Sequence, residues 1–313
     1  MIQVKNLTKY YGRTPAIKDV TFTVEKGEIL GFLGPNGAGK STTMKILSCF
    51  MPATKGTAKV AGYDVFEDSL EVRKRIGYQP ENVPLYKDMP VSTYLNFVAE
   101  VRGIVKGERK RKVGKAMDEC GITKVSGKLI GKLSKGYRQR VGIAQALIHD
   151  PEVLILDEPT IGLDPKQIHG IRGLVKDLAG KRTIILSTHI LPEVSMTCHR
   201  VIIINEGQIV AVDTPDNLTA RLRKATKILV EIEGPPNEVT KGLKGISGIT
   251  TIEKKDAKSK KSFTYLINST VDTDIRRDIF TIVSKNGWIL TQMQLIDMSL
   301  EDIFIKLVTE ERT

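Results

Sequence analysis

The chain has 313 residues, of which 41% are apolar and 27% charged, and a formal net charge of +12. Its length predicts about two domains at ~150 residues each, and its composition excludes a disordered chain. No apolar run approaches the ~18 residues that span a bilayer, and the opening MIQVKNLTKYYG has no apolar signal core, so neither an integral membrane protein nor a secreted one is expected.

Residues 2–4 and 17–24 read as an antiparallel edge layer. Strands are expected at 28–33, 76–78, 153–156, 183–187 and 201–204. Several are apolar on both faces, the mark of a buried, partly parallel sheet between helices. Between 91 and 149 the strand signal stops, and helices are expected at 91–102, 107–120 and 136–149. A helical insertion at about 88–150 therefore interrupts the α/β core. Residues 102–140 hold thirteen Lys/Arg against three acids. Such a block suits either a solvated helix face or an anionic partner. The three cysteines, Cys49, Cys120 and Cys198, have no metal-ligand spacing and are expected as buried thiols in a reducing cytosol.

After residue 222 the pattern changes. Strand 228–233, helix 237–243, strands 249–254 and 263–267, helix 272–286 and strand 288–295 follow in βαββαβ order. A last helix is expected at 300–309 with Ser299 as its cap. Trp288 is expected in a core, and residues 254–262 in an exposed charged loop. The expected domains are 1–222 and 223–313.

Gly34-Pro35-Asn36-Gly37-Ala38-Gly39-Lys40-Ser41 matches the P-loop pattern, between an apolar strand and a helix starting near Thr42. Glycines let backbone N–H groups close on phosphate oxygens, and the helix dipole favours the same anion. Lys40 is placed for the β- and γ-phosphates, Ser41 for Mg²⁺, and Thr42 for a further hydroxyl contact. The strand 153–156 ends in Asp157 and Glu158. At the C-terminal edge of a parallel sheet these suit the Mg²⁺ shell and the orientation of an attacking water, respectively. His189 ends another strand beside that edge.

Leu133-Ser134-Lys135-Gly136-Tyr137 precedes a helix. With the P-loop and the acid pair it resembles the signature of ATP-binding cassette (ABC) ATPases, over about residues 1–220. The whole chain is similar to ATP-binding subunits of type-2 ABC exporters, the drug, polysaccharide or gliding-machinery kind. This resemblance implies an α/β P-loop NTPase core of ABC type, with an antiparallel β edge layer and a helical insertion, followed by a small α+β domain. It implies that Ser134 and Gly136 contact the γ-phosphate held by a second copy, although Lys135 and Tyr137 replace the family's usual Gly and Gln. Tyr11, with Tyr10 beside it, matches the adenine-stacking aromatic. Asp164 matches the loop crossing the dimer interface, and His189 the switch histidine. Either Glu81 or Gln79 fills the place of the glutamine that links Mg²⁺ to the membrane subunit. The implied function is ATP hydrolysis by a homodimer with ATP and Mg²⁺, powering a separate transmembrane permease from the cytoplasmic face of the membrane. A cassette ATPase acting on nucleic acid or ribosomes is the alternative, but no nucleic acid partner is expected: the chain has one P-loop and no heptad run.

Overall fold

The computed structural model describes residues 1–222, 225–255, 262–270 and 275–296. Internal contacts divide the chain into two compact units, Met1–Pro215 and Asp216–Thr313.

The first unit opens with Ile2–Tyr11 (β1) and Thr14–Val24 (β2), paired antiparallel from Ile2 opposite Val24 to Tyr11 opposite Thr14. Ile2 and Val4, and Val20, Phe22 and Val24, are buried at alternate positions, as one covered sheet face requires. The apolar pattern predicts only the ends of this hairpin. Between Val4 and Leu7 the register shifts at exposed Lys5 and Asn6, whose polar side chains hide the strand from a hydrophobicity reading. Next come Ile29–Leu33 (β3), Lys40–Leu47 (α1), Lys55–Val60 (β4), Tyr63–Asp64 (β5), Ser69–Arg75 (α2) and Ile76–Gln79 (β6). β2-β1-β4-β5 form a four-stranded sheet, of which the apolar pattern predicts β1 and β2 alone.

The helical insertion holds Val91–Val101 (α3), Lys106–Glu119 (α4) and Lys135–Leu147 (α5), close to the expected bounds. The core resumes with Val153–Asp157 (β7), Pro165–Leu178 (α6), Thr183–Thr188 (β8), Leu191–Thr197 (α7), Arg200–Asn205 (β9) and Gln208–Asp213 (β10). The second sheet has the order β10-β9-β3-β8-β7-β6. Five of its strands are parallel, and β10 closes the edge antiparallel to β9. Ile2, Val20, Phe22, Phe32, Met44 and Ile155 belong to one apolar core shared by the two sheets and α1. The C-terminal ends of β3, β7 and β8 lie side by side, because β8 pairs with both other strands.

Pro215–Leu222 (α8) begins at the boundary, and the second unit continues with Ala225–Glu233 (β11), Pro236–Lys244 (α9), Ile249–Lys255 (β12), Ser262–Thr270 (β13), Arg276–Lys285 (α10) and Ile289–Ile296 (β14). The sheet order β12-β13-β11-β14, antiparallel throughout, is that of the expected split βαβ arrangement. Ile228, Val230, Val239, Leu243, Ile279 and Val283 form its core, with Trp288 packed against it. The helix expected at 300–309, its cap Ser299, and most of the charged loop lie outside the described residues.

Candidate nucleotide-binding site

The loop between β3 and α1 is shaped by close approach. Gly39 has φ +105°, and a Cβ there would lie 2.5 Å from Ile17 Cγ2 and 2.7 Å from the Ala16 carbonyl oxygen. Only glycine fits such a turn. The loop leads into α1, whose first N–H groups have no intrahelical partner and face an anion-favouring dipole end. A cleft of about 280 Å³ opens here, lined by Asn36, Gly37, Lys40, Ser41, Glu81 and Glu158, among others.

Within it the charges are held by the chain itself. Lys40 Nζ donates to the carbonyls of Gly34 at 2.7 Å and Pro35 at 3.1 Å, and lies 3.3 Å from Glu158 Oε1. Both side chains are buried. Asp157 Oδ1 accepts from the hydroxyls of Ser41, at 3.2 Å, and Ser187. Burial pushes the Asp157 carboxyl above its ordinary pKa, against the pull of the two hydroxyls. Glu158 adopts φ +49°, uncommon for a residue with a Cβ. Its N–H donates to the carbonyl and the hydroxyl of Ser187, each at 3.1 Å, which holds this backbone in place. Ser187 thus touches both acids. The strand pattern shows a buried serine, but not that β7 and β8 bring it between them. His189 Nδ1 lies 2.8 Å from Glu158 Oε2.

Ser134 stands elsewhere. It is the N-cap of α5, its hydroxyl accepting from Tyr137 N–H at 3.4 Å. With Gly136, Tyr137, Arg140, Lys166 and Gln167 it lines a separate cleft of about 370 Å³, which shares no residue with the first. Leu133 is buried and Lys135 is exposed.

The ABC transporter family profile matches residues 17–161, and an AAA-domain profile matches 130–196. The linearmycin resistance ATP-binding protein LnrL of Bacillus subtilis is 30% identical over 98% of this chain and 98% of its own length. The bacitracin transport ATP-binding protein BcrA of Enterococcus faecalis is 33% identical over 98% of this chain and 96% of its own. This chain belongs to the ABC transporter family of ATP-binding proteins. A solved ATP-binding subunit of an ABC transporter superposes with a TM-score of 0.64 at 31% identity, covering 71% of this chain and 93% of that one. A dimeric ATP-binding cassette in a post-hydrolysis state, bound to ADP and Pi, superposes at 0.62 with 25% identity, covering 68% and 98%. The cassette described here is the ATP-binding and ATP-hydrolysing subunit that powers the membrane permease of an ABC transport system.

The remaining expected residues of this ABC cassette divide between the cleft and its surroundings. Glu81 lines the cleft, whereas Gln79 is fully buried at the end of β6, donating its amide to Gln139. Tyr11 ends β1 with its ring 50% exposed and its hydroxyl donating to Met51 Sδ at 3.2 Å. Asp164 is the N-cap of α6, accepting from Gln167 N–H at 2.8 Å ahead of Pro165. That cap and first-turn proline are readable in the sequence, and they mark a helix that the apolar pattern alone left out. A hard cation fits the cleft's donor set. Ser41 Oγ and an Asp157 oxygen lie side by side, and buried Glu158 Oε1 has no hydrogen bond. Mg²⁺ takes one or two carboxylates and completes its shell with phosphates and waters. All three cysteines are free and buried, and burial pushes each thiol's pKa up. No helix among the described residues is long and apolar enough to cross a membrane.

Proposed function

We propose that two copies of this cassette close head-to-tail over two ATP molecules. Each nucleotide is held by the P-loop of one copy and the Ser134–Gly136 segment of the other. The observation that carries the reading is the separation of the two clefts within one chain. Lys40, Ser41, Asp157, Glu158 and His189 converge in the first, while Ser134 and Gly136 line the second. A phosphate chain in the first cleft leaves its outer side for another protein surface.

In this reading Gly34, Pro35, Asn36, Gly37, Ala38 and Gly39 wrap the phosphates with backbone N–H groups, Lys40 turns from its carbonyls to the β- and γ-phosphates, and Thr42 adds a hydroxyl. Tyr11 stacks on the adenine. Ser41, Asp157 and Glu81 would hold Mg²⁺, which would supply charge neutralisation for the phosphates. Glu158 orients the attacking water and accepts its proton, and His189 senses the γ-phosphate beside it. Leu133, Lys135 and Tyr137 shape the signature turn, and Asp164 joins the loop at the dimer seam. ATP stabilises the closed pair because it binds that state more tightly than the open one. Hydrolysis removes the bridge.

The moving part is a transmembrane permease on a separate chain, with its cytoplasmic loops in the groove beside Glu81 and the helical insertion. The cassette is then peripheral, on the cytoplasmic face. The names of LnrL and BcrA support an export role directed at antibiotics. Glu158→Gln with Mg-ATP tests the core of this reading: light scattering is expected to show a trapped dimer with turnover lost. A monomer, or a dimer that hydrolyses ATP normally, overturns it. Detergent pull-down of the native complex is expected to recover a polytopic membrane protein; recovery of RNA instead points to the nucleic-acid class.

A further inference from the structure

His189 sits between two pinned neighbours. Thr188 Oγ1 donates to Glu193 Oε2 at 2.8 Å and accepts from Ile190 N–H at 3.0 Å. Glu193 N–H in turn donates to the Ile190 carbonyl at 3.1 Å. These bonds close a ring over residues 188–193, with His189 held inside it. The Thr188 carbonyl accepts from Gly34 N–H at 3.4 Å, so the same residue touches the start of the P-loop. α7, which carries Glu193, is pressed against β3. A Cβ on Gly31 would lie 2.6 Å from Val194 Cγ1, so only a glycine lets the helix come this close.

Glu193 is out of place for a packing residue. It is 1% exposed, next to buried Val194 and near buried Leu191, and its Oε1 has no hydrogen-bond partner. Burying a carboxylate costs free energy that an apolar side chain there avoids. The His189 side chain, by contrast, is 37% exposed, yet it reaches a nearly buried Glu158. Little packing surrounds the ring, so its position depends on the backbone that carries it.

We propose that Glu193 is a positioning residue for ATP hydrolysis, acting through Thr188 to fix the backbone from which His189 reaches Glu158. The carboxylate holds the threonine hydroxyl in one rotamer. That hydroxyl then holds Ile190 N–H, and the peptide on either side of His189 cannot turn. Displacing a reacting constellation by about 1 Å costs up to ~10²-fold in rate. The inference rests on the roles given above to Glu158 and His189.

Steady-state ATPase kinetics of the full chain with Mg-ATP test it, using Glu193→Ala, Glu193→Gln, Thr188→Val, His189→Ala and the double variant Glu193→Ala/His189→Ala. Glu193→Ala is expected to lower kcat about tenfold or more while KM for ATP stays within about twofold. Glu193→Gln keeps an acceptor oxygen for Thr188 and is expected to recover most of that loss. Thr188→Val keeps the shape but not the hydroxyl, and is expected to reproduce Glu193→Ala. On the His189→Ala background, Glu193→Ala is expected to cost nothing further, since coupled residues are not additive. A full penalty on that background, a Gln variant as poor as Ala, or an unchanged kcat in Glu193→Ala each overturns the proposal. If His189→Ala itself turns over normally, the reading of the site falls and the role of Glu193 with it. If His189→Ala is slow but Thr188→Val is not, only the role of Glu193 falls.

Discussion

The phosphate cleft and the signature edge hold their polar groups in opposite ways. In the cleft each principal charged group has an internal partner: Lys40 has the Gly34 and Pro35 carbonyls and Glu158, Asp157 has Ser41 and Ser187, and Glu158 has His189. At the signature edge Ser134 and Lys135 are exposed, and the helix they open is capped by a single hydroxyl contact. Under the proposed function, nucleotide binding then means different things on the two sides. In the cleft it would be an exchange, with Lys40 giving up two carbonyls for phosphate oxygens. At the signature the gain would come when a ligand is brought by another copy, so on that proposal the cleft binds alone and the signature contributes on closure.

The largest effect that sharpens this contrast is Glu158→Gln. Loss of a general base costs about 10²–10⁴-fold in kcat, while ATP binding is expected to survive, because Lys40, Ser41 and Asp157 remain. Equilibrium binding beside single-turnover hydrolysis separates the two. Lost binding would mean that the cleft depends on the Lys40–Glu158 contact and is not a simple exchange site.

The second effect lies on the other side. Ser134→Ala, together with Gly136→Ala, is expected to lower kcat by about tenfold or more, the scale of losing an oriented anion contact, while the ATP affinity of a single copy stays unchanged. A Cβ on Gly136 would already lie 2.7 Å from Gln167 Oε1, the end of a side chain that can swing away, so the chain can fold around a modest substitution. A matching loss of binding by the isolated copy would break the contrast, by placing the signature within the same nucleotide site.

The cleft was legible in the sequence because its chemistry is local. The P-loop needs eight consecutive residues, and Asp157 and Glu158 need only one strand end. Elements defined by long-range pairing were harder to see. β4 carries exposed lysine and glycine and β5 is only two half-buried residues, and they take their places by pairing, β4 with β1 and β5 with β4. Ser187 and Glu193 were invisible for the same reason. Each is an ordinary strand or helix residue until β8 and α7 set it against a partner. The choice between Glu81 and Gln79 was likewise open to spacing. Their surroundings differ, since Gln79 is a strand residue tied to Gln139 in the interior while Glu81 is past the strand end and on the cleft, which supports the proposed role of Glu81.

A smaller effect probes the outer rim of the cleft. Tyr11→Ala is expected to raise KM for ATP about 3- to 10-fold with kcat held, the scale of one lost stacking contact of ~0.5–1.5 kcal/mol. The ring is half exposed, with its hydroxyl on Met51 and Lys9 Nζ 5.9 Å from its centroid, so its removal leaves the core intact. An unchanged KM would hand the adenine to another surface and shrink the cleft to a phosphate site.

The smallest effect concerns the anchor of the signature helix. His149 follows α5, and its Nε2 lies 2.9 Å from the Ile76 carbonyl at the start of β6. Burial, and then the charge of Arg102, push its pKa down to about 4. In the unfolded chain a histidine titrates near 6.5. Between these values the unfolded state binds the proton and the folded state does not, so stability rises with pH across that window and is lost as the solution is acidified through it. His149→Gln keeps a donor for Ile76 but cannot charge. Its Tm is therefore expected to fall less between pH 6.5 and 4 than that of the parent, by a few degrees, each kcal/mol of this linkage being worth about 2–4 °C in a domain of this size. Parallel melting curves across that window would show that the signature helix is held to the sheet by packing alone, and that acid weakens both sides of the site alike.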